Sequence, residues 1–95
     1  MAAYIVFIKE REHDAAIMAD YGAKAGPTLA GHPGKPLAFY GGIETLEGPE
    51  AQGCVMIEFP DMAAARAWYE SDAYQEARKL RFAGADYRVF ITAGL

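Results

Sequence analysis

The apolar residues of this chain follow two different periods, and the change between them marks the predicted strands and helices. Four segments are rich in the branched and aromatic side chains that suit a pleated strand, and they span residues 3–9, 37–46, 53–59 and 87–93. Residues 47–50 contain glycine and proline, which indicate a turn. The second and third strands are therefore predicted to form a β-hairpin.

Between the strands, apolar residues recur every three or four positions, as they do on one face of a helix. The first helical segment spans residues 14–30, with Asp14 as its predicted N-cap. Pro27 removes a backbone donor, which predicts a kink or a second short turn. After the third strand, Asp61 and Ser71 are predicted to cap two further helices.

The order of elements is strand, helix, strand, strand, helix, strand, which right-handed connections fold into a split βαβ arrangement. We therefore predict the fold class α+β, with a ferredoxin-like βαββαβ topology, a four-stranded antiparallel sheet and the helices on one face. A chain of 95 residues is too short for two hydrophobic cores, so residues 1–95 are predicted to form a single domain.

The other face of the predicted sheet is also largely apolar. Successive strand positions point to opposite faces, so Val55 and Ile57 share one face while Cys54 and Met56 share the other. An apolar face needs a cover, and a second copy of the chain would supply it as a two-fold homodimer with a barrel-like interior. The alternative is a lone sheet that leaves a few aromatic side chains exposed.

Composition and charge narrow the classes of function. The formal charge is -4, from 13 acidic and 9 basic residues without a long run of either sign, so we expect no nucleic-acid partner. We also expect no membrane partner and a cytoplasmic location, because the sequence has neither an apolar run of about 20 residues nor a secretory signal. Cys54 is the only cysteine, which excludes an internal disulfide, and we interpret it as a small buried apolar residue.

The segment 57–69, IEFPDMAAARAWY, together with residues 71–75 and 80–81, resembles the family called domain of unknown function 1330. The similarity extends over nearly the whole chain, including residues 40–42 and 86–88. This resemblance implies a dimeric α/β barrel with a ferredoxin-like protomer. It implies no activity, since fold relatives of the family include cofactor-free oxygenases, isomerases, haem-handling enzymes and simple ligand binders.

His32 and Glu58 are the candidate catalytic residues. His32 follows a helix in a glycine-rich loop, and histidine titrates near neutral pH; alternatively it caps the helix or faces solvent. Glu58 lies among apolar residues, and the hairpin is expected to place it opposite Tyr40. Family members often carry arginine where this chain has Tyr40, so a charge partner for Glu58 is expected to be missing. A structural Tyr–Glu pair is the alternative to a catalytic role.

Tyr40, Tyr74, Arg78 and Arg81 are the candidate substrate-binding residues. The last three share one face of the final predicted helix. Arg81 is expected to bind an acidic ligand or, as the structural alternative, Asp86.

Two hypotheses for the function remain, and neither includes a cofactor or a metal, because the sequence has no phosphate loop, nucleophile elbow or metal-ligand cluster. The first is a cofactor-free enzyme or binder of a small, partly apolar acidic molecule held between the sheet and the helices. It predicts that His32, Glu58 and Arg81 lie within about 10 Å of one cavity centre. The second is a non-catalytic dimeric module, structural or ligand-sensing, in which Trp68 belongs to the core or the dimer contact and the polar residues are structural.

Overall fold

A four-stranded antiparallel sheet with strand order β2-β3-β1-β4 forms the base of the molecule in the computed structural model, which describes residues 1–95. In chain order, the elements are β1 (Ala3–Glu12), α1 (Ala15–Ala25), a short 3-10 helix (Gly26–Leu29), β2 (Lys35–Phe39), β3 (Gly53–Phe59), α2 (Met62–Tyr69), α3 (Asp72–Gly84) and β4 (Ala85–Ala93). The structure confirms the predicted α+β ferredoxin-like topology, with the second helical region divided into α2 and α3.

The helices begin where the sequence predicts. The Asp14 carboxylate accepts a hydrogen bond of 3.0 Å from the backbone N–H of the third residue of α1, and Asp61 accepts one of 2.8 Å at the start of α2. The Ser71 hydroxyl does the same for α3 at 3.3 Å. Each bond satisfies a backbone donor that has no partner within its own helix. Pro27 lies in the 3-10 helix that follows α1, so the predicted second short turn is confirmed.

Strand β2 ends earlier than predicted, and this error changes the neighbours of two candidate residues. The strand stops at Phe39, because Tyr40 has φ 53°, in the left-handed region that residues other than glycine rarely adopt. Residues 40–52 then form a long irregular loop, so the predicted strand end at residue 46 and the turn at 47–50 are wrong, whereas the predicted antiparallel pairing of β2 with β3 is confirmed. Apolar Ile43 and Leu46 suggested a strand from composition alone, but both are exposed.

The helices cover one face of the sheet, and the core lies between them. On this face, alternate residues of the two central strands are buried: Ala3, Ile5, Phe7, Val55, Ile57 and Phe59. From the helices, Trp68 and Tyr74 complete the aromatic centre of the core, at 3% and 0% exposure. The interpretation of Trp68 as a core residue is therefore confirmed.

The opposite face, which we call the outer face, has no helix over it. Val6, Met56 and Cys54 are half-buried there, and Phe90 is 43% exposed. The interpretation of Cys54 as a buried residue is thus only partly correct, because its thiol belongs to the open face. None of the helices combines the length and the apolar character that a membrane crossing requires.

Candidate functional site

A cavity of about 150 Å³ lies between the helix-covered face of the sheet, α1 and α3. Ten of its 13 lining residues are hydrophobic, and its aromatic lining consists of Phe7, Tyr21, Phe39, Tyr40, Trp68 and Tyr74. The lining contains no carboxylate, imidazole or amine. The only hydrogen-bonding side chains that face the cavity are therefore those of the aromatic residues.

Packing fixes the inner wall of this cavity. The Trp68 ring lies 4.4 Å from the Tyr74 ring and 6.2 Å from the Phe7 ring, centroid to centroid. The indole N–H of Trp68 donates to the Thr28 hydroxyl oxygen over 3.1 Å, which holds the ring in one orientation. The inner wall of the cavity is therefore rigid, and its two large side chains each carry one polar group, the indole N–H of Trp68 and the hydroxyl of Tyr74.

Tyr21 of α1 and Tyr74 of α3 form a hydroxyl pair at this wall. Their oxygens lie 2.8 Å apart, and the two residues are 8% and 0% exposed. Burial raises the pKa of Tyr21 far above its ordinary value near 10, and the neighbouring Tyr74 raises it further. Burial also raises the pKa of Tyr74. Both phenols are consequently protonated donors at neutral pH.

Tyr40, which lines the cavity, belongs to a second hydroxyl pair with Tyr87 of β4, which lies outside the lining. The Tyr40 oxygen lies 2.6 Å from the Tyr87 oxygen, and Tyr40 is 38% exposed. Burial and the bond to Tyr40 raise the pKa of Tyr87. The two pairs are neighbours, since Tyr21, Tyr40 and Tyr87 border one common hollow beside the cavity.

Counting hydroxyl hydrogens shows what the two pairs offer to a ligand. A pair of phenols has two O–H hydrogens, and only one of them lies between the two oxygens. The four hydroxyls donate to no other acceptor of the chain, and Arg81, which is only a donor, bonds to the oxygen of Tyr74. Each pair therefore keeps one O–H group that can donate to a ligand oxygen.

Arg81 lies behind these tyrosines rather than on the cavity lining. It is 3% exposed, its Nε has no hydrogen-bond partner, and none of the ion pairs of the chain includes it. Its guanidinium carbon lies 5.1 Å from the centroid of the Tyr87 ring and 5.7 Å from that of Phe7. The positive charge opposes the rise in the pKa of Tyr21, Tyr74 and Tyr87, so it favours negative charge at this end of the cavity.

The predicted pairing of Arg81 with Asp86 is wrong. The Asp86 carboxylate is exposed and lies 3.0 Å from Nε2 of His13. Asp86 and Tyr87 are successive residues of a strand, so their side chains leave opposite faces of the sheet, and only Tyr87 points toward Arg81. Arg81 therefore keeps a buried charge without a carboxylate partner.

Glu58 and His32 are separate from the cavity. Glu58 is half-buried on the outer face, where Lys35 is opposite to it in the strand register, so the predicted pairing of Glu58 with Tyr40 is wrong. Tyr40 instead lies at the other end of β3, where its N–H donates to the Cys54 carbonyl over 2.8 Å. His32 is half-buried after the 3-10 helix, and neither candidate lines the cavity.

Arg78, the remaining candidate, contacts residues of α2 and of its own helix, α3. Its guanidinium donates to the Tyr69 hydroxyl over 3.1 Å and to Gln75, and it lies over the rings of Tyr69 and Phe82. It does not line the cavity. Of the six predicted site residues, the structure therefore brings Tyr40 and Tyr74 to the cavity and places Arg81 directly behind them.

Sequence reasoning missed Tyr21 and Tyr87 as members of the site. Both occupy positions that the apolar periodicity assigns to the core. The available signal was chemical, since a phenol in a core position needs a partner for its hydroxyl. No group of three or more potential metal ligands among His, Cys, Asp and Glu side chains comes together in the structure.

Comparison with known proteins gives one family and a set of related folds. Residues 2–95 match the family model of DUF1330, described as a domain of unknown function. Among solved structures, a protein of unknown function from Rhodopseudomonas palustris is 21% identical with a TM-score of 0.69, and the match covers 99% of this chain and 82% of that one. Comparison with curated proteins finds no match.

Two further solved structures share the fold. A dimeric protein of unknown function with a ferredoxin-like fold from Bacteroides fragilis is 9% identical with a TM-score of 0.65, covering 96% of this chain and 94% of that one. SnoaB, a cofactor-independent oxygenase from Streptomyces nogalater, is 16% identical with a TM-score of 0.62, covering 99% and 92% of the two chains. Identities this low show a common fold alone.

Proposed function

We propose a function for this chain from the premise that it belongs to the DUF1330 family: it binds a small, partly apolar acidic molecule in the aromatic cavity. The observation that carries the proposal is an apolar cavity with two unused phenol O–H groups and a buried arginine behind them. Apolar pockets with a few convergent polar groups are the usual form of small-molecule sites.

The roles of the residues follow from their protonation. Tyr74 and Tyr40 line the cavity, and one phenol of each pair donates its free O–H to an oxygen of the ligand. The raised pKa values of Tyr21, Tyr74 and Tyr87 keep these phenols protonated, so they act as donors and not as bases. Arg81 stabilises an anionic oxygen through these phenols without touching it. The proposal invokes no cofactor, because the phenols supply the donors.

Binding is favoured over proton abstraction by the composition of the lining. A general base must be within hydrogen-bond reach of the proton that it removes, and the cavity is lined by none. His32 and Glu58 therefore have no part in this proposal. The absence of a lining base also favours a ligand-sensing module over an enzyme as the use of the site.

A homodimer is the second part of the proposal. The outer face exposes apolar side chains that alternate along β1, β3 and β4, and a second copy of the chain would cover them. We expect light scattering to give about twice the 10.3 kDa chain mass, and Met56→Glu to give a monomer. A wild-type monomer at micromolar concentration would refute the dimer and leave the cavity proposal unchanged.

Calorimetric titration with benzoate tests the cavity proposal, because benzoate combines one apolar ring with one carboxylate. Wild-type protein is expected to bind benzoate. A parallel fluorescence titration should show quenching of the emission of Trp68, which is the only tryptophan and lines the cavity. The double variant Tyr21→Phe/Tyr74→Phe should weaken binding roughly fivefold to tenfold, because it removes both hydroxyls of the pair and therefore its free donor, whereas either single change leaves one O–H group. The matched control is Tyr4→Phe on the outer face, which should bind as wild type does. Equal affinity of the two variants would contradict the proposed donors.

A further inference from the structure

We propose that Tyr40 is a movable partition that sets the size of the ligand. This inference rests on the proposed function, since it concerns which molecules the cavity accepts. Tyr40 borders two spaces: the aromatic cavity of about 150 Å³ and an adjoining hollow of about 240 Å³. Lys9, Glu12 and Tyr87 line only the second of these. The position of one ring therefore separates a small site from a larger one.

Tyr40 is the one side chain at the boundary that is free to move. Three residues line both spaces: Tyr21, Gly22 and Tyr40. Gly22 has no side chain, and Tyr21 is 8% exposed and held between two helices. Tyr40 instead follows the edge strand, is 38% exposed and has a backbone φ of 53°. A conformation of this kind has a cost that another backbone conformation would relieve.

The Tyr40 ring is held in its present place by groups that are themselves polar or exposed. Its hydroxyl bonds to Tyr87 over 2.6 Å, the Lys9 ammonium lies 5.5 Å from the ring centroid, and the ring of Phe39, which is 69% exposed, lies 5.0 Å away. Gly41 and Gly42 follow, and a Cβ atom at either would meet nothing within 4 Å. The segment after the ring is therefore unobstructed and conformationally permissive.

Gly53 provides the seat on which the ring lies. A Cβ atom at this position would be 2.9 Å from Cδ1 and 3.0 Å from Cε1 of Tyr40. Real Cβ atoms do not approach other carbons so closely, so any other residue at this position would displace the ring. The seat gives an experimental means to move Tyr40 without altering its hydroxyl.

The two positions of the ring predict two classes of ligand. With Tyr40 on its seat, the cavity has the size of an apolar cavity that holds one benzene ring, about 150 Å³. With the ring displaced, the space continues toward Tyr87 and Lys9. The wild-type protein should therefore select single-ring acids, and displacement of Tyr40 should admit two-ring acids.

The experiment measures the affinities of benzoate and 1-naphthoate by calorimetry for wild type, Tyr40→Ala and Gly53→Ala. Wild type should bind benzoate more tightly, and both variants should shift the ratio roughly tenfold toward 1-naphthoate. Gly42→Ala is the matched control, since its methyl group meets open space, and should keep the wild-type ratio. Thermal unfolding checks that each variant folds, and Tyr40→Ala carries the test should Gly53→Ala fail to fold.

The outcomes separate this inference from the function on which it rests. Benzoate binding with the same ratio in wild type and both variants would overturn the partition and leave the proposed function intact. A wild type that binds both acids equally would overturn it as well. If neither acid binds to wild type or to any of the variants, the proposed function and the partition are both refuted.

Discussion

The two tyrosine pairs of the cavity make the same hydrogen bond but are held by different parts of the molecule. Tyr21 and Tyr74, which we call the helical pair, come from two packed helices and are nearly inaccessible to solvent. In the other pair, which we call the edge pair, Tyr87 comes from β4, whereas Tyr40 lies one residue beyond the edge strand β2, at the start of a long loop. The same chemical group is therefore rigidly packed in one pair and partly open to solvent in the other, and we propose that the first acts as a fixed donor and the second as an adjustable boundary.

Truncation of one tyrosine of each pair to alanine should give the largest difference between the two pairs in the free energy of unfolding. Tyr74→Ala removes a fully buried ring that contacts Phe7, Trp68 and Tyr21, and it should lower the free energy of unfolding by about 3 to 5 kcal/mol. Tyr40→Ala removes a partly exposed ring and should lower it by about 1 kcal/mol or less. Urea titrations monitored by circular dichroism measure both values. Similar losses would show that the edge pair is as structural as the helical pair.

Substitution of Trp68, which lies behind the helical pair, should lower the free energy of unfolding nearly as much. Trp68 packs against Tyr74 and Phe59 and is 3% exposed, so Trp68→Ala should cost about 3 to 5 kcal/mol. Phe39 lines the same cavity from the edge strand at 69% exposure, and Phe39→Ala serves as the comparison with an expected loss of about 1 kcal/mol or less. A Trp68→Ala loss below about 1 kcal/mol would contradict the rigid inner wall.

The same contrast explains which parts of the molecule the sequence predicts. Strand alternation and the caps at Asp14, Asp61 and Ser71 depend on residues close in the chain, and the structure confirms them. The tyrosine pairs join residues 53 and 47 positions apart, for which local periodicity carries no signal. The partners of the site residues depend on where β2 ends.

The register error at β2 has a specific cause. A strand that continued to a turn at residues 47–50 would pair Tyr40 with Glu58, whereas Phe39 lies opposite Val55 in the observed register, so Tyr40 comes next to Cys54. The length of the loop between β2 and β3 therefore sets the register, and with it whether the phenol of Tyr40 meets a carboxylate or a second phenol. Neither the apolar pattern nor the family resemblance includes that information.

Alkaline pH should destabilise the protein progressively through the two phenols of the helical pair. The pKa values of Tyr21 and Tyr74 are raised in the folded protein above the ordinary value near 10, so their contribution to stability is complete below pH 10. Above pH 10 the unfolded chain loses protons first, and each such phenol adds up to about 1.4 kcal/mol per pH unit to the loss. Urea titrations from pH 8 to 11 should show a shallower decline for Tyr21→Phe than for wild type. Equal slopes would contradict a raised pKa of Tyr21 in the folded protein.

Removal of single hydroxyl groups should give the smallest and most specific difference. Tyr21→Phe leaves the buried Tyr74 hydroxyl without its protein partner, and we expect a loss of about 1 to 2 kcal/mol in the free energy of unfolding. Tyr87→Phe leaves the partner hydroxyl of Tyr40 at a site that water reaches, so its loss should be about 0.5 kcal/mol or less.

Double-mutant cycles to phenylalanine isolate each hydrogen bond from the rest of its surroundings. The Tyr21–Tyr74 cycle should give a coupling energy of about 1 kcal/mol, and the Tyr40–Tyr87 cycle a value near zero, because solvent replaces the lost partner of an accessible hydroxyl but not that of a buried one. Equal coupling in the two cycles would mean that the edge pair is sealed from water. Tyr40 would then be a fixed wall of the cavity, and the size of the ligand would be set by the protein without movement.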